Sequence, residues 1–452
     1  MAAKPARPRK KTADAKEIML RQIKEQNVKF IRMWFTDILG FLKSFSVRVE
    51  ELDRAFKDGL GFDGSSVEGF VRIDESDMLA RPDPSTYSII PWRPRDHATG
   101  KMFCDIYWPD GRPFEGDPRF VLKQNLKRAA EKGFTCYVGP ELEYFYFQSN
   151  EDVTPLDKGG YFDVTPPNVA SEFRRQTIIT LEQMGVNVEY AHHEAAPSQH
   201  EIDLRYTDAL AMADNVMVYR IAVKEVAQRH GVYATFMPKP VPRINGSGMH
   251  VHISLFQGDR NAFFEKNDKF HLSKEGKCFL AGLLKHIPEI TVVNNQWVNS
   301  YKRLVPGYEA PVYITWARRN RSDLIRIPQY QPGQENATRM ELRSPDPACN
   351  PYLCFSVILA AGLEGIEKEY PLPEPSEENV YEMKPEERAK KGIRTLPGSL
   401  AEAIELAEGS KLLKKALGDH VFHTFIENKK IEWDLYRTAV TDFEVKRYLP
   451  LL

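Results

Sequence analysis

The stretch Tyr-Val-Gly-Pro-Glu-Leu-Glu-Tyr-Phe-Tyr-Phe (137–147) sets the reading of this 452-residue chain. It is apolar and rich in aromatics, so it reads as a strand. Side chains at i and i+2 share one strand face, and Glu141 and Glu143 therefore point the same way. Two carboxylates side by side on a mostly buried strand repel each other and are poorly solvated. They are tolerable where a cation sits between or beside them. An edge strand with its Glu face in water accounts for this pair equally well when it is taken alone.

Recurrence separates the two readings. Met249-His250-Val251-His252-Ile253-Ser254-Leu255 alternates, with His250, His252 and Ser254 on one face. Met340-Glu341-Leu342-Arg343 puts Glu341 and Arg343 on one face. His192-His193-Glu194 and Gln199-His200-Glu201-Ile202-Asp203 add acids on a loop and at a strand start. Packing alone does not explain inward polar pairs in four segments. Together they describe a strand-built cavity lined by Glu141, Glu143, Glu194, Glu201, Glu341, His250 and His252. Carboxylates with a single His suit the hard cations Mg²⁺ or Mn²⁺, whereas Zn²⁺ favours Cys or several His. The five cysteines form no C-x-x-C and suggest no disulfide framework in a chain of this length.

Seven arginines (303, 318, 319, 321, 326, 339 and 343) fall within one short stretch. Guanidinium binds phosphate and carboxylate in bidentate fashion, so this cluster near a metal cavity suits such ligands. Arg318 and Arg319 are adjacent and cannot both face one site from a strand; salt bridges at the surface account for them. Acids and bases are otherwise mixed, and the formal net charge of −1 gives no basic field for nucleic acid. No P-loop pattern occurs, so a nucleotide site must be of another kind.

Seven motifs in order resemble type I glutamine synthetase, in its shorter, non-adenylylated bacterial and archaeal subtype. They are Phe-Asp-Gly-Ser-Ser-Val-Glu-Gly-Phe (62–70), Pro-Glu-Leu-Glu (140–143), His-His-Glu-Ala-Ala-Pro-Ser-Gln-His-Glu (192–201), Asn-Gly-Ser-Gly-Met-His-Val-His (245–252), Leu-Val-Pro-Gly-Tyr-Glu-Ala-Pro (304–311), Asn-Arg-Ser (320–322) and Arg-Ser-Pro-Asp-Pro-Ala-Cys-Asn-Pro-Tyr-Leu (343–353). The resemblance runs from about residue 17 to the C-terminus. It implies an α+β fold: a small β-grasp-like N-terminal domain, then a catalytic domain with an incomplete antiparallel barrel flanked by helices. It further implies a dodecamer of two stacked hexameric rings with active sites shared between subunits.

The activity implied is ATP-dependent ligation of glutamate and ammonium to glutamine through γ-glutamyl phosphate. Two or more Mg²⁺ or Mn²⁺ per site would assist, with ATP as co-substrate. By resemblance, Glu143, Glu194 and Glu201 hold one metal, and Glu141, His250 and Glu341 the other. Asn245, Gly246, His250, Arg303 and Arg343 bind glutamate. Arg321, Arg326 and Arg339 serve the transferring phosphate and nucleotide, with Glu189, His252 and Ser254 around ATP. Asp63 deprotonates ammonium, with Ser66 and Tyr161 as companions; as a bare Asp-Gly it would read as a turn. Glu309, in a Pro-Gly-Tyr-Glu-Ala-Pro loop, would be a lid and second base. Two departures stand out: Tyr381 sits in Asn-Val-Tyr-Glu-Met-Lys-Pro, which makes adenylylation doubtful and suggests a solvated tyrosine, and position 336 is Asn where some members carry a basic residue. The alternatives are a γ-glutamylamine ligase of the same superfamily, using a polyamine or ethanolamine, and a non-catalytic regulatory homologue.

Around this core, residues 1–16 are rich in Ala, Pro, Lys and Arg and read as a disordered basic arm. Residues 17–113 carry strand-like stretches, and Asp117-Pro118 opens a helix closed by Gly133. A boundary near 113–117 gives domains 17–113 and 114–452, the second with a helical segment from Ser399 onward. Helices are expected at 171–184 and 207–230, with strands at 187–190, 249–256 and 338–343. No apolar run approaches ~20 residues, so no membrane span is expected and the protein reads as cytoplasmic.

Overall fold

The computed structural model describes residues 12–69, 77–164, 170–307, 310–318 and 323–452. A helix over Thr12–Glu25 comes first. Residues 12–16, expected to be part of a disordered arm, are thus helical. Ala15, Met19 and Ile23 recur every four residues and are buried, an apolar stripe hidden in sequence by the Lys and Arg around it.

The helix covers a six-stranded sheet. Its order is Leu42–Arg48, Phe30–Thr36, Thr99–Tyr107, Asp77–Pro82 and Leu60–Asp63, with Ser88–Ile89 also on Thr99–Tyr107. Phe30–Thr36 and Thr99–Tyr107 run parallel; the other pairs are antiparallel. This sheet has its own core, built on Ile31, Met33, Met102, Cys104, Ile106 and Phe114.

Asp117 begins the passage to the larger domain. Its carboxylate accepts from Arg119 N at 2.9 Å, capping the helix Pro118–Glu131, and from Ile106 N of the first sheet at 3.1 Å. Arg119 then reaches Asp83 and Asp105 on the N-terminal side and Asp214 in the helix Ala209–Arg229. The helix Asp419–Arg437 adds a second tie: His420 Nε2 lies 2.8 Å from Glu68 Oε1, and Asn428 Nδ2 donates to Glu68 O at 3.0 Å.

The larger domain carries a ten-stranded sheet ordered Trp316–Ala317, Ile325–Arg326, Met340–Leu342, Met249–Gln257, Thr135–Phe147, Gln199–Leu204 and Val188–His193, with three short strands beside this path. All pairs are antiparallel except the first. The strands expected at 137–147, 187–190, 249–256 and 338–343 and the helices at 171–184 and 207–230 are present within a few residues.

The helix Lys274–Asn294 has no counterpart among the sequence-based expectations. Its buried positions, Phe279, Leu280, Ala281, Leu283, Leu284, Ile287 and Ile290, run nearly all round and give no single stripe. It crosses the buried helix Pro351–Glu367 at two glycines. A Cβ on Gly365 would meet Cys278 O at 2.1 Å, and one on Gly282 would meet Ala361 O at 2.3 Å. All five cysteines are buried and unpaired. No helix among the described residues is long and apolar enough to cross a membrane.

Candidate active site

The strand register brings the polar pairs into one patch. Glu141 on Thr135–Phe147 lies opposite His250 on one side and Asp203 on the other. Glu143 lies opposite Glu201, which in turn lies opposite His192. Across the remaining ladder, His252 faces Glu341 and Glu341 faces Arg326. An antiparallel sheet with one apolar face aligns such residues by its two-residue period.

Two groups result. In the first, ligand atoms of Glu141, His250 and Glu341 all lie within 4.8 Å of one another. Glu141 Oε2 is 3.2 Å from His250 Nδ1, and its Oε1 is 2.6 Å from His252 Nε2. Arg326 and Arg343 both donate to the fully buried Glu341. Burial raises Glu341, but His252, Arg343 and His250 outweigh it and hold the carboxyl down at about 2. Glu141 follows the same pattern: burial pushes it up, and His252 and His250 carry it well below the carboxylate range.

In the second group, His192, Glu194 and Glu201 meet the same distance limit. His192 Nε2 lies 2.9 Å from Glu194 Oε1 and 3.7 Å from Glu201 Oε2. Glu143 stands next to them, accepting from Gln199 Nε2 at 2.8 Å and Gly248 N at 2.9 Å. Here burial raises Glu194 too, but its hydrogen bonds to His192, Glu201 and Ala195 N bring it below its ordinary value, whereas for Glu143 and Glu201 the balance reverses. Burial and the Glu194 charge push Glu143 up to about 8, and burial with Asp203, Glu143 and Glu141 pushes Glu201 well above its ordinary value. These carboxylates repel, and no Lys or Arg side chain among the described residues hydrogen-bonds them. Oxygen donors with this unrelieved repulsion fit a hard divalent ion.

Both groups open on one cavity of about 1070 Å³. Arg303, Arg343 and Arg326 also line it, with Asn245 and Gly246; Arg326 and Arg343 stand directly beside Glu341. Arg303 is buried and donates to the carbonyls of Ser344, Pro345 and Arg343 at 2.6, 3.2 and 3.1 Å. The glycines of Asn-Gly-Ser-Gly make room for it. A Cβ on Gly248 would stand 2.5 Å from Arg303 Nη2, and one on Gly246 would meet Pro238 O at 2.3 Å.

Comparison with known proteins agrees with this geometry. Residues 27–109 match the family description "Glutamine synthetase, beta-Grasp domain", and residues 115–448 match "Glutamine synthetase, catalytic domain". The chain belongs to the glutamine synthetase family. Glutamine synthetase of Mycolicibacterium smegmatis is 53% identical over 442 residues, covering 96% of this chain and 99% of the relative. That of Methanosarcina mazei is 50% identical over 446 residues, covering 98% and 99%. A solved structure titled "GmaS/ADP complex-Conformation 1" superposes with a TM-score of 0.85 at 32% identity, covering 96% of this chain and 99% of that one.

The family reading places its residues unevenly. Glu141, Glu143, Glu194, Glu201, His250, Glu341, Tyr161, Asn245, Gly246, Arg303, Arg326 and Arg343 all line the cavity. His252 lies behind Glu141 and accepts from Arg339 Nε at 3.0 Å. Ser254 is buried and Glu189 exposed; neither is among the lining residues, and nor is Arg339. Asp63 and Ser66 sit at the end of strand Leu60–Asp63 in the other domain, and do not line this chain's cavity. Asp63 Oδ1 accepts from Ser65 N at 2.9 Å, the turn geometry that the Asp-Gly pair suggested. Glu309, Arg319 and Arg321 lie outside the described residues.

One reading needs correction. Tyr381 is not a solvated tyrosine: it lines the cavity, and its hydroxyl donates to Ala310 O at 2.8 Å. Sequence reasoning also passes over His192, Gln199 and Asp203 as cavity residues. His192 stands in a motif already quoted, and its pairing with Glu201 is the missing step.

Proposed function

We propose that this protein joins ammonium to the γ-carboxylate of glutamate, with ATP hydrolysis driving the reaction through γ-glutamyl phosphate. The observation that carries this is a single cavity lined by two oxygen-rich ligand groups and by Arg303, Arg326 and Arg343, the last two in contact with Glu341. A carboxylate resists attack by ammonia until it gains a better leaving group, and phosphorylation supplies one. Phosphoryl transfer depends on positioned positive charge more than on a protein nucleophile. Mg²⁺ or Mn²⁺ held by Glu141, His250 and Glu341, and by Glu143, Glu194 and Glu201 with His192 alongside, would neutralise phosphate and carboxylate oxygens.

The protein's own groups do the rest. Arg303 and Arg343, with Asn245 and Gly246, orient glutamate. Arg326, Arg339 and Arg321 stabilise the transferring phosphate, with His252, Glu189 and Ser254 toward ATP. Asp63, Ser66 and Tyr161 form the ammonium pocket, where a carboxylate must both attract the cation and take its proton. Glu309 closes over the acyl phosphate, which water would otherwise hydrolyse. Glu309→Ala should therefore release phosphate in excess of glutamine; parallel loss of both products would exclude the lid role.

We further infer a cytoplasmic dodecamer of two stacked hexameric rings, with Asp63 of one subunit completing the cavity of the next. Support comes from the position of Asp63, in the smaller domain and outside its own chain's cavity lining. Mixed refolding of inactive Asp63→Asn and Glu341→Ala chains should restore about a quarter of sites. No recovery within shown mixed particles would refute sharing. The activity itself is tested by an amine panel with Mg²⁺, ATP and glutamate. Glutamine formation should exceed ligation of putrescine, spermine or ethanolamine by far; preference for one of those amines would identify a γ-glutamylamine ligase instead.

A further inference from the structure

Behind the His192–Glu194–Glu201 group lies a second, fully enclosed cluster that the proposed chemistry does not use. His193 and His200 pair in register across the Val188–His193 and Gln199–Leu204 strands. Each is adjacent to a cavity residue, His192 or Glu201, and so points to the opposite face. Asp157 stands between them. Its Oδ1 is 2.8 Å from His193 Nε2, and its Oδ2 is 3.8 Å from His200 Nε2. Ligand atoms of the three lie within 4.8 Å of one another. His193 and His200 are buried, and the Asp157 side chain is 5% exposed.

Most of the cluster's polar atoms are tied to protein groups. His193 Nδ1 lies 2.7 Å from Glu194 O. Both its ring nitrogens thus face pure acceptors, and both must carry hydrogen. His200 Nδ1 lies 2.5 Å from an Arg174 guanidinium nitrogen, which can only donate. His200 Nε2 and Asp157 Oδ2 face each other at 3.8 Å without a hydrogen bond.

What Asp157 does hold is backbone. Its Oδ1 also accepts from Ser198 N and Gly159 N, each at 3.0 Å. Ser198 returns the contact, its Oγ accepting from Leu156 N at 2.5 Å and Asp157 N at 3.1 Å. Ser198 is held at φ +59, a conformation that a non-glycine residue adopts only under constraint. Phe162 N donates to His193 O at 3.1 Å. One carboxylate therefore fastens together the 194–199 turn, which carries Glu194 and leads into Glu201, and the loop that carries Tyr161.

We propose that Asp157, acting through His193 and Ser198, is a positioning residue that presets Glu194 and Glu201 for the cation and Tyr161 for the amine. This rests on the reading of Glu194 and Glu201 as metal ligands. Groups behind metal ligands typically change metal affinity 10- to 100-fold when removed.

The test is Mn²⁺ binding to nucleotide-free protein, followed by electron paramagnetic resonance, alongside steady-state kinetics. Asp157→Ala should weaken one class of Mn²⁺ site at least about tenfold and leave the class held by Glu141, His250 and Glu341 unchanged. KM for ATP should stay near wild type while the Mg²⁺ half-saturation rises. Gly159→Ala provides a second route that removes no polar group, because its Cβ would stand 2.7 Å from His193 Nε2; it should shift the same class, and it decides the matter if Asp157→Ala does not fold. Folded variants with wild-type Mn²⁺ affinities would overturn the positioning role and leave the metal reading intact. Wild-type protein that binds no Mn²⁺ would overturn the metal reading and this inference with it.

Discussion

Two buried charge networks in this molecule are balanced differently. At the domain junction, Arg119 lies 2.8 Å from Asp83, 2.5 Å from Asp105 and 3.1 Å from Asp214. Lys123 adds a contact to Asp105 at 2.5 Å, and Tyr352 donates to Asp214 at 2.7 Å. Each of these three carboxylates meets a cation of the protein. In the cavity, Glu341 is served likewise by Arg326 and Arg343. Glu143, Glu194 and Glu201 are not: among the described residues, no Lys or Arg side chain hydrogen-bonds them. Their partners are an amide, backbone N–H groups and His192. Buried acids that share one space without a Lys or Arg in contact are built for something the protein must bind.

A raised carboxyl alone does not mark the difference. Asp117 is pushed up to about 7 by burial and by Asp105, yet both its oxygens are occupied by backbone N–H groups. The useful signal is several acids that share one space with no Lys or Arg hydrogen-bonded to them.

The contrast can be broken in three ways. The largest effect is expected from Glu201→Ala. Activity should fall by about 10²–10³ or more, while the metal-free protein should melt no lower than wild type, since a carboxyl crowded by neighbouring acids has gone. A matched loss of melting temperature and activity would make Glu201 structural. Next comes Arg119→Met, which strands three aspartates. It should cost about 3–5 kcal/mol in denaturant unfolding, while turnover per folded molecule stays near wild type; a stable but inactive variant would reverse the assignment.

The smallest effect is a pH slope. Because the folded Asp117 carboxyl titrates at about 7 against an ordinary 3.8, the native state binds the extra proton between those values. Its contribution to stability is complete below about 4 and is lost as pH rises through 7. Asp117→Asn should flatten that part of the curve, read as unfolding free energy at pH 5, 6, 7 and 8. An unchanged slope would place the titration elsewhere.

Much of this is legible in the sequence because strands have a two-residue period. Glu141 with Glu143 and His250 with His252 announce a common face by their spacing alone. Where periodicity fails, the reading fails too. The Lys274–Asn294 helix is buried almost all round and shows no stripe. The Thr12–Glu25 helix has a clean stripe, but Lys and Arg between its apolar positions disguise it. His192 and Asp203 become cavity residues only through their register with Glu201 and Glu141, which is a long-range fact. Asp157 is more remote still: it lies 36 residues from His193, and nothing in its local sequence marks it.

The difference between the two networks is tested most directly by crystals grown with Mn²⁺ and measured for its anomalous scattering. Peaks are expected among Glu143, Glu194 and Glu201 and among Glu141, His250 and Glu341, with none beside Asp83, Asp105 and Asp214. A cavity without peaks, or equal occupancy at the Arg119 junction, would contradict the account.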